Sequence, residues 1–316
     1  ERADIAVGGR LGSPGRLTIY GIGVSRESTR FRGFPGDVEY VAEGNFSSTQ
    51  PADPGAVEIL QDQVQSRRAN RINFFLGQRN LRSLQRRGLD ALTGIQDVQV
   101  GAEVLVGLGR ALEAIQESGG ISSDDLHTQI DLFLGQAWGR WIFNARSSAE
   151  ARQVYAGGGE DGGWEDIFAE GDVYLYWQPS PEGPHTFVFR ASGAGGWNVT
   201  TPFQLTLGGR SSVRGYQEEG FPGARRLVVS LEERMFLDWP APDVLDFGLS
   251  FFLDVGTIEA GDVPFGVDSG WKSAVGLGMR LGLPPGTART TRVDLALPLG
   301  RKTQLKDLIL RISLDE

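Results

Sequence analysis

From Asp246 to the C-terminus, segment after segment of the sequence puts an apolar side chain on every second position. In DFGLSFFLDVG, Phe247, Leu249, Phe251, Leu253 and Val255 share one face, and Gly248, Ser250, Phe252 and Asp254 share the other. In WKSAVGLGMRLG, Trp271, Val275, Leu277, Met279 and Leu281 alternate with Lys272, Ala274, Gly276, Gly278 and Arg280. TRVDLALPLG and DLILRISLDE continue the pattern, setting Val293, Leu295, Leu297 and Leu299, then Leu308, Leu310, Ile312 and Leu314, against a face that carries Arg292, Asp294, Arg311 and Ser313. Side chains of a strand point to opposite faces in turn, so each segment is a strand with one apolar and one polar face.

Two architectures share that pattern. A soluble sandwich turns the apolar face inward, whereas a transmembrane barrel turns it toward lipid and keeps the polar face for a wet lumen. Three features favour the barrel. The segments reach the ~10 residues that a tilted membrane strand needs. Their polar faces are rich in glycine, of which the chain has 45. Tryptophans 138, 141, 164, 177, 197, 239 and 271 gather near segment ends, as interfacial girdles do. No apolar run approaches the ~20 residues of a membrane helix, and barrels hide their hydrophobicity by alternation.

The totals narrow the chemistry. The chain has no cysteine and two histidines, His127 and His185, so thiolate metal sites, disulfides and histidine-based catalysis are not expected. A net charge of −9 argues against nucleic acid as a partner. His127 falls on a polar face and His185 at a strand start, and neither has a nucleophile motif beside it, so a barrel hydrolase is not expected. No cofactor is expected. Asn45 in NFS and Asn198 in NVT match a glycosylation acceptor pattern.

The same rhythm upstream gives candidate strands at 3–9, 16–25, 37–44, 56–66, 70–78, 95–109, 124–135, 138–148, 165–177, 185–197 and 201–208, followed by 224–236, 245–255, 270–282, 290–299 and 306–315. The expectation is an all-β fold, a transmembrane antiparallel β-barrel of about sixteen strands spanning 1–316 as one domain. The count is least defined between residues 79 and 165, where GLGRALEAIQESGG also reads as a helical turn. Arginines 67, 68, 71, 79, 82, 86 and 87 form a basic cluster that reads first as a solvated turn and loop, with lipopolysaccharide phosphates or periplasmic partners as the functional alternative.

One segment breaks the rhythm: GGRSSVRGYQEEGFPG, residues 208–223, is charged and broken by glycine. SSVRGYQEEGFPG, then LVVSLEERMFL, LSFFLDVGTIEAGD and GLGMRLGLPPGTARTTRVDLALPLG, resembles the barrel of the BamA/TamA superfamily of outer-membrane assembly factors and two-partner-secretion transporters. The resemblance covers about residues 200–300. It implies that Val213, Arg214, Gly215 and Tyr216 lie on an extracellular loop folded back into the lumen. It also implies that Arg214 is held there by Glu232 and Asp254. Strand parity agrees independently: Leu227, Val229 and Leu231 mark the lipid face, so Glu232 and Asp254 face inward. Arg280, Arg292, Asp294 and Arg311 read as general lumen electrostatics.

The resemblance implies a bacterial outer-membrane protein without bond chemistry. It implies first a protein that inserts other barrel proteins through a lateral seam between the first and last strands, here 3–9 and 308–314. The alternatives are a polypeptide-export pore, or the membrane anchor of an upstream hydrolase. The expected first strand is short, with Gly8–Gly9 weakening its end. Expected partners are outer-membrane lipid and lipopolysaccharide, unfolded outer-membrane or secreted polypeptides, and periplasmic proteins. The chain departs from the superfamily pattern in two ways: strand-like sequence begins near residue 3 with no POTRA domain before it, and the C-terminus reads SLDE without a terminal aromatic residue.

Overall fold

The structure is a computed structural model that describes residues 2–30, 39–41, 49–64, 67–111, 121–122, 124–155, 162–180, 183–210, 212–300 and 303–315. One sheet dominates it. Thirteen long strands follow one another as an antiparallel meander: β1 (Arg2–Ser13), β2 (Arg16–Thr29), β5 (Arg67–Arg87), β6 (Ile95–Ala111), β8 (Asp125–Trp138), β9 (Trp141–Val154) and β10 (Gly163–Trp177), continuing with β11 (His185–Trp197), β14 (Arg225–Leu237), β15 (Asp246–Glu259), β16 (Lys272–Gly282), β17 (Thr290–Leu299) and β18 (Ile309–Asp315). A two-residue strand, β7 (Ile121–Ser122), joins off this path against β5. No described helix is long and apolar enough to cross a membrane.

Three candidate segments stand outside the meander. Residues 56–66 were expected to be a strand, but Pro54–Gln63 form helix α1. The local chemistry explains this: Asp53 caps the first turn through a 3.1 Å bond from Ala56 N, and Pro54 opens the helix. Within 37–44, only Glu39–Val41 (β3) is described as strand, paired with Thr49–Pro51 (β4); the rest lies outside the described residues. Within 201–208, only Leu205–Leu207 (β12) is extended, and it pairs with Phe221–Gly223 (β13) rather than with the main sheet. The end of GLGRALEAIQESGG, 112–120, also lies outside the described residues. The run 125–154 resolves into β8 and β9, joined by a tight turn at Gly139.

The faces are inverted relative to a soluble protein. Leu231, Phe251, Leu277 and Leu310 stand on the outer face, with Leu277 56% and Leu310 59% exposed. Asp125, Asp254 and Ser250 are among the most deeply buried side chains. An apolar exterior around a charged interior is stable only where hydrocarbon replaces water outside.

Two small apolar clusters interrupt the polar interior, one at each end. Leu207, Val213, Val228, Ile258 and Ala274 form the first, at the mouth from which the 198–224 connection leaves. Leu89, Val98, Val100, Ile142, Tyr176 and Val188 form the second, at the opposite mouth. Each cluster is built around a connecting segment that folds inward.

Among the described residues β1 and β18 pair with neighbours on one side only, and the sheet is open between them. The expected short first strand is in fact twelve residues long, and Gly8 and Gly9 lie in its middle, opposite Gly21 and Tyr20. Successive antiparallel pairings leave β1 and β18 running in the same direction. Joined directly, as the sequence reading supposed, they would make a parallel pair. A parallel pair does not belong to the all-antiparallel pattern of such barrels.

Candidate functional site

The connection from β11 to β14 returns into the sheet's concave side. Its first leg is fixed by Asp166, which sits at a register shift between β9 and β10 with φ of 46°. Such an irregularity re-aims a side chain. The Asp166 carboxylate accepts from Thr200 N at 2.7 Å and Thr201 N at 3.1 Å, and from Arg152 Nη2 at 2.7 Å. Gln63, at the end of α1, donates to the main-chain oxygens of Val199 and Asp262. The β12–β13 hairpin then carries the chain inward. Gly208, with φ of 112°, makes the turn, where an added Cβ would fall 2.1 Å from Gln217 O.

The tetrad sits at the loop's inner tip. Val213 is fully buried in the apolar cluster of this mouth. Gly215 lies against the backbone of Leu297–Pro298. Tyr216 packs edge-on against Phe221, with ring centroids 5.9 Å apart. Arg214 points at the wall. Its Nε and Nη2 bind the two oxygens of Asp254, each at 2.7 Å, and its Nη1 lies 3.2 Å from Glu232 Oε2. This fork-on-carboxylate geometry is the strong, directional form of an ion pair. Ser230 donates to Asp254 Oδ1 at 2.6 Å, and the guanidinium lies 3.4 Å from the centroid of the Phe252 ring. The structure thus brings Arg214, Glu232 and Asp254 together.

Residues read as background in the sequence join the same network. Glu232 accepts from Arg214, Arg234, Arg280 and Arg292. Asp294 pairs with Arg292 and lies 3.5 Å from Arg214. Arg234 also binds Asp90 at 2.8 Å. Four arginines therefore face four carboxylates, which is how buried charge is kept compensated. Arg234, Asp90 and Asp166 escaped the sequence reading. Strand parity signals that Arg234 faces inward, but nothing local signals that Asp90 or Asp166 does.

The other candidates separate. His127 Nε2 lies 3.6 Å from Glu150, and His185 Nδ1 lies 3.0 Å from Glu233. The described residues hold no cluster of three or more metal-ligating side chains. The basic run does not form one patch. It is spread along β5, with Arg71 bound to Asp125 and Glu27, Arg79 to Glu103, and Arg87 to Thr93 O.

An antiparallel meander with an apolar outer face, an ionic interior and an infolded loop defines an outer-membrane β-barrel. Residues 165–314 match the Omp85 superfamily domain, and the tetrad with Glu232 and Asp254 lies inside that match. Among solved structures the chain is similar to CdiB from Escherichia coli, with 15% identity and a TM-score of 0.45 over 99% of this chain and 52% of that one. The chain thus spans about half the length of that protein. A comparison with curated protein sequences gives no match.

Proposed function

We propose that this barrel inserts other outer-membrane β-proteins by templating their strands at the free edges of its own sheet. The observation that carries this reading is that, among the described residues, β1 and β18 each pair on one side only. Both strands carry exposed apolar side chains, such as Ile5 at 72% and Ile312 at 71%, which supports a position at membrane depth. Each unsatisfied backbone group in hydrocarbon costs several kcal/mol. An extended polypeptide that pairs with such an edge removes that cost, which is β-augmentation inside a membrane.

The Arg214 lock supports the lateral route over the axial one. With the loop pinned by Asp254 and Glu232, the lumen is occupied, and a client threading along it must first displace the loop. In this reading the partners are unfolded outer-membrane polypeptides and the surrounding lipid, lipopolysaccharide included. The work is binding and templating without bond chemistry.

The test is the refolding of a urea-denatured barrel client into liposomes with and without this protein, followed by the gel mobility of the folded client. Acceleration is expected. A protein that carries polypeptide into the vesicle without speeding client folding is an exporter, and the insertion reading fails.

A further inference from the structure

The β5–β6 connection, residues 88–94, has the sequence GLDALTG and joins neighbouring strands. The β8–β9 connection at the same mouth makes its turn at Gly139 and Arg140 alone. The 88–94 segment instead enters the lumen and buries Leu89 to 4%, Ala91 to 2% and Leu92 to 8% exposure. It crosses to the far wall. Thr93 Oγ1 donates to Asp246 Oδ2 at 2.6 Å, on β15. Arg234 of β14 donates to Leu89 O at 2.6 Å and to Asp90 Oδ1 at 2.8 Å. Gly248 leaves the space that Leu92 fills: a Cβ there would lie 2.5 Å from Leu92 Cδ2. Beside β14, Thr186 Oγ1 of β11 and Gln178 Nε2, just after β10, bind the oxygens of Gly88 and Arg87 at 2.7 and 2.8 Å.

A hairpin needs none of this to reverse direction. Apolar side chains in such a connection, buried among inward-facing Val98, Ile142 and Val188, form a stopper with its own dry core. Asp90–Arg234 and Thr93–Asp246 are its side-chain latches to β14 and β15, with Tyr176 Oη also donating to Asp90 at 3.1 Å; each such bond has a modest net worth of about 1–3 kcal/mol, because water replaces it on opening.

We propose that residues 88–94 are a second plug, which closes the lumen at the mouth opposite the inner loop and swings out when the Asp90–Arg234 and Thr93–Asp246 latches release. Arg234 couples the two closures, because it binds Asp90 of the plug and Glu232 of the inner-loop network. The plug and the inner loop then narrow the lumen in series, so release of the plug alone lowers the resistance even with the inner loop in place. The plug serves an inserting barrel and an exporting one equally, so its test is independent of the folding assay above.

The experiment is the conductance of the full chain in planar bilayers. The chain has no native cysteine, so Thr93→Cys with Asp246→Cys gives one defined cross-link. The oxidised protein is expected to stay closed, and the reduced protein to conduct several-fold more. Asp90→Asn with Thr93→Val is expected to conduct several-fold more than the unaltered chain without any oxidant. Folding of each sample is read from its heat-modifiable gel mobility. Equal conductance in both redox states overturns the proposal, as does failure of the cysteine pair to cross-link in the folded protein.

Discussion

Arg311, on the last strand of the sheet, donates from Nε to the main-chain oxygen of Arg214, 3.0 Å away, and from Nη2 to that of Tyr216. A third bond, 2.8 Å from Nη1, reaches Glu218. The strand that ends the meander at an open edge therefore holds the backbone of the loop whose side chain is locked to β14 and β15. Movement of that edge and release of the loop share one residue.

Arg311→Ala removes all three contacts while Asp254 still holds Arg214. Bonds to a charged donor are worth about 1.5–3 kcal/mol. The loop between Gly208 and Gly220 is expected to become protease-sensitive in the folded protein, and β18 to exchange its amides faster. Unchanged digestion and unchanged exchange would show that the edge and the loop are uncoupled.

Arg214→Ala strands Asp254, which is fully buried, without its cation. Removing one partner of a buried pair costs about 3–5 kcal/mol. The midpoint of urea unfolding, followed by gel mobility, is expected to fall accordingly. Arg214→Lys is expected to rescue little, because a lysine supplies neither the fork nor the flat face over Phe252. The double change Arg214→Ala with Asp254→Ala is expected to be milder than the sum of the single changes, as coupled residues require. Additive losses would remove the lock.

Gly215→Ala tests the tight approach of the tetrad. A Cβ there would lie 2.5 Å from Ala274 Cβ, 2.9 Å from Pro298 N and 3.1 Å from Leu297 C. Backbone atoms of a paired strand cannot yield, so the loop is expected to leave its seat and show the protease sensitivity of Arg214→Ala. Gly163→Ala, where nothing stands within 4 Å, is the silent comparison. Equal behaviour of the two variants would refute the close packing.

Much of this was legible in the chain because strand periodicity is a local property. Two residues of spacing decide which way a side chain points, so Glu232 and Asp254 were placed inside, and Leu231 and Leu277 outside, before any coordinates. Helix α1 was misread because its apolar positions were matched to a strand, although Asp53 and Pro54 carry the start signal of a helix. The seam was not legible because strand direction depends on how many strands pair, and among the described residues 54–63 turn helical and 205–207 pair outside the main sheet.

By itself the sequence determined the alternation, and with it the solvent on each face, because those properties are set within a few residues of backbone. Only the tertiary structure decided which inward-facing groups meet. Arg234 and Asp90 lie 144 positions apart and Thr93 and Asp246 lie 153 apart. Their contact is created by the curvature of a sheet that carries one wall across to another, and no spacing in the chain encodes that closure.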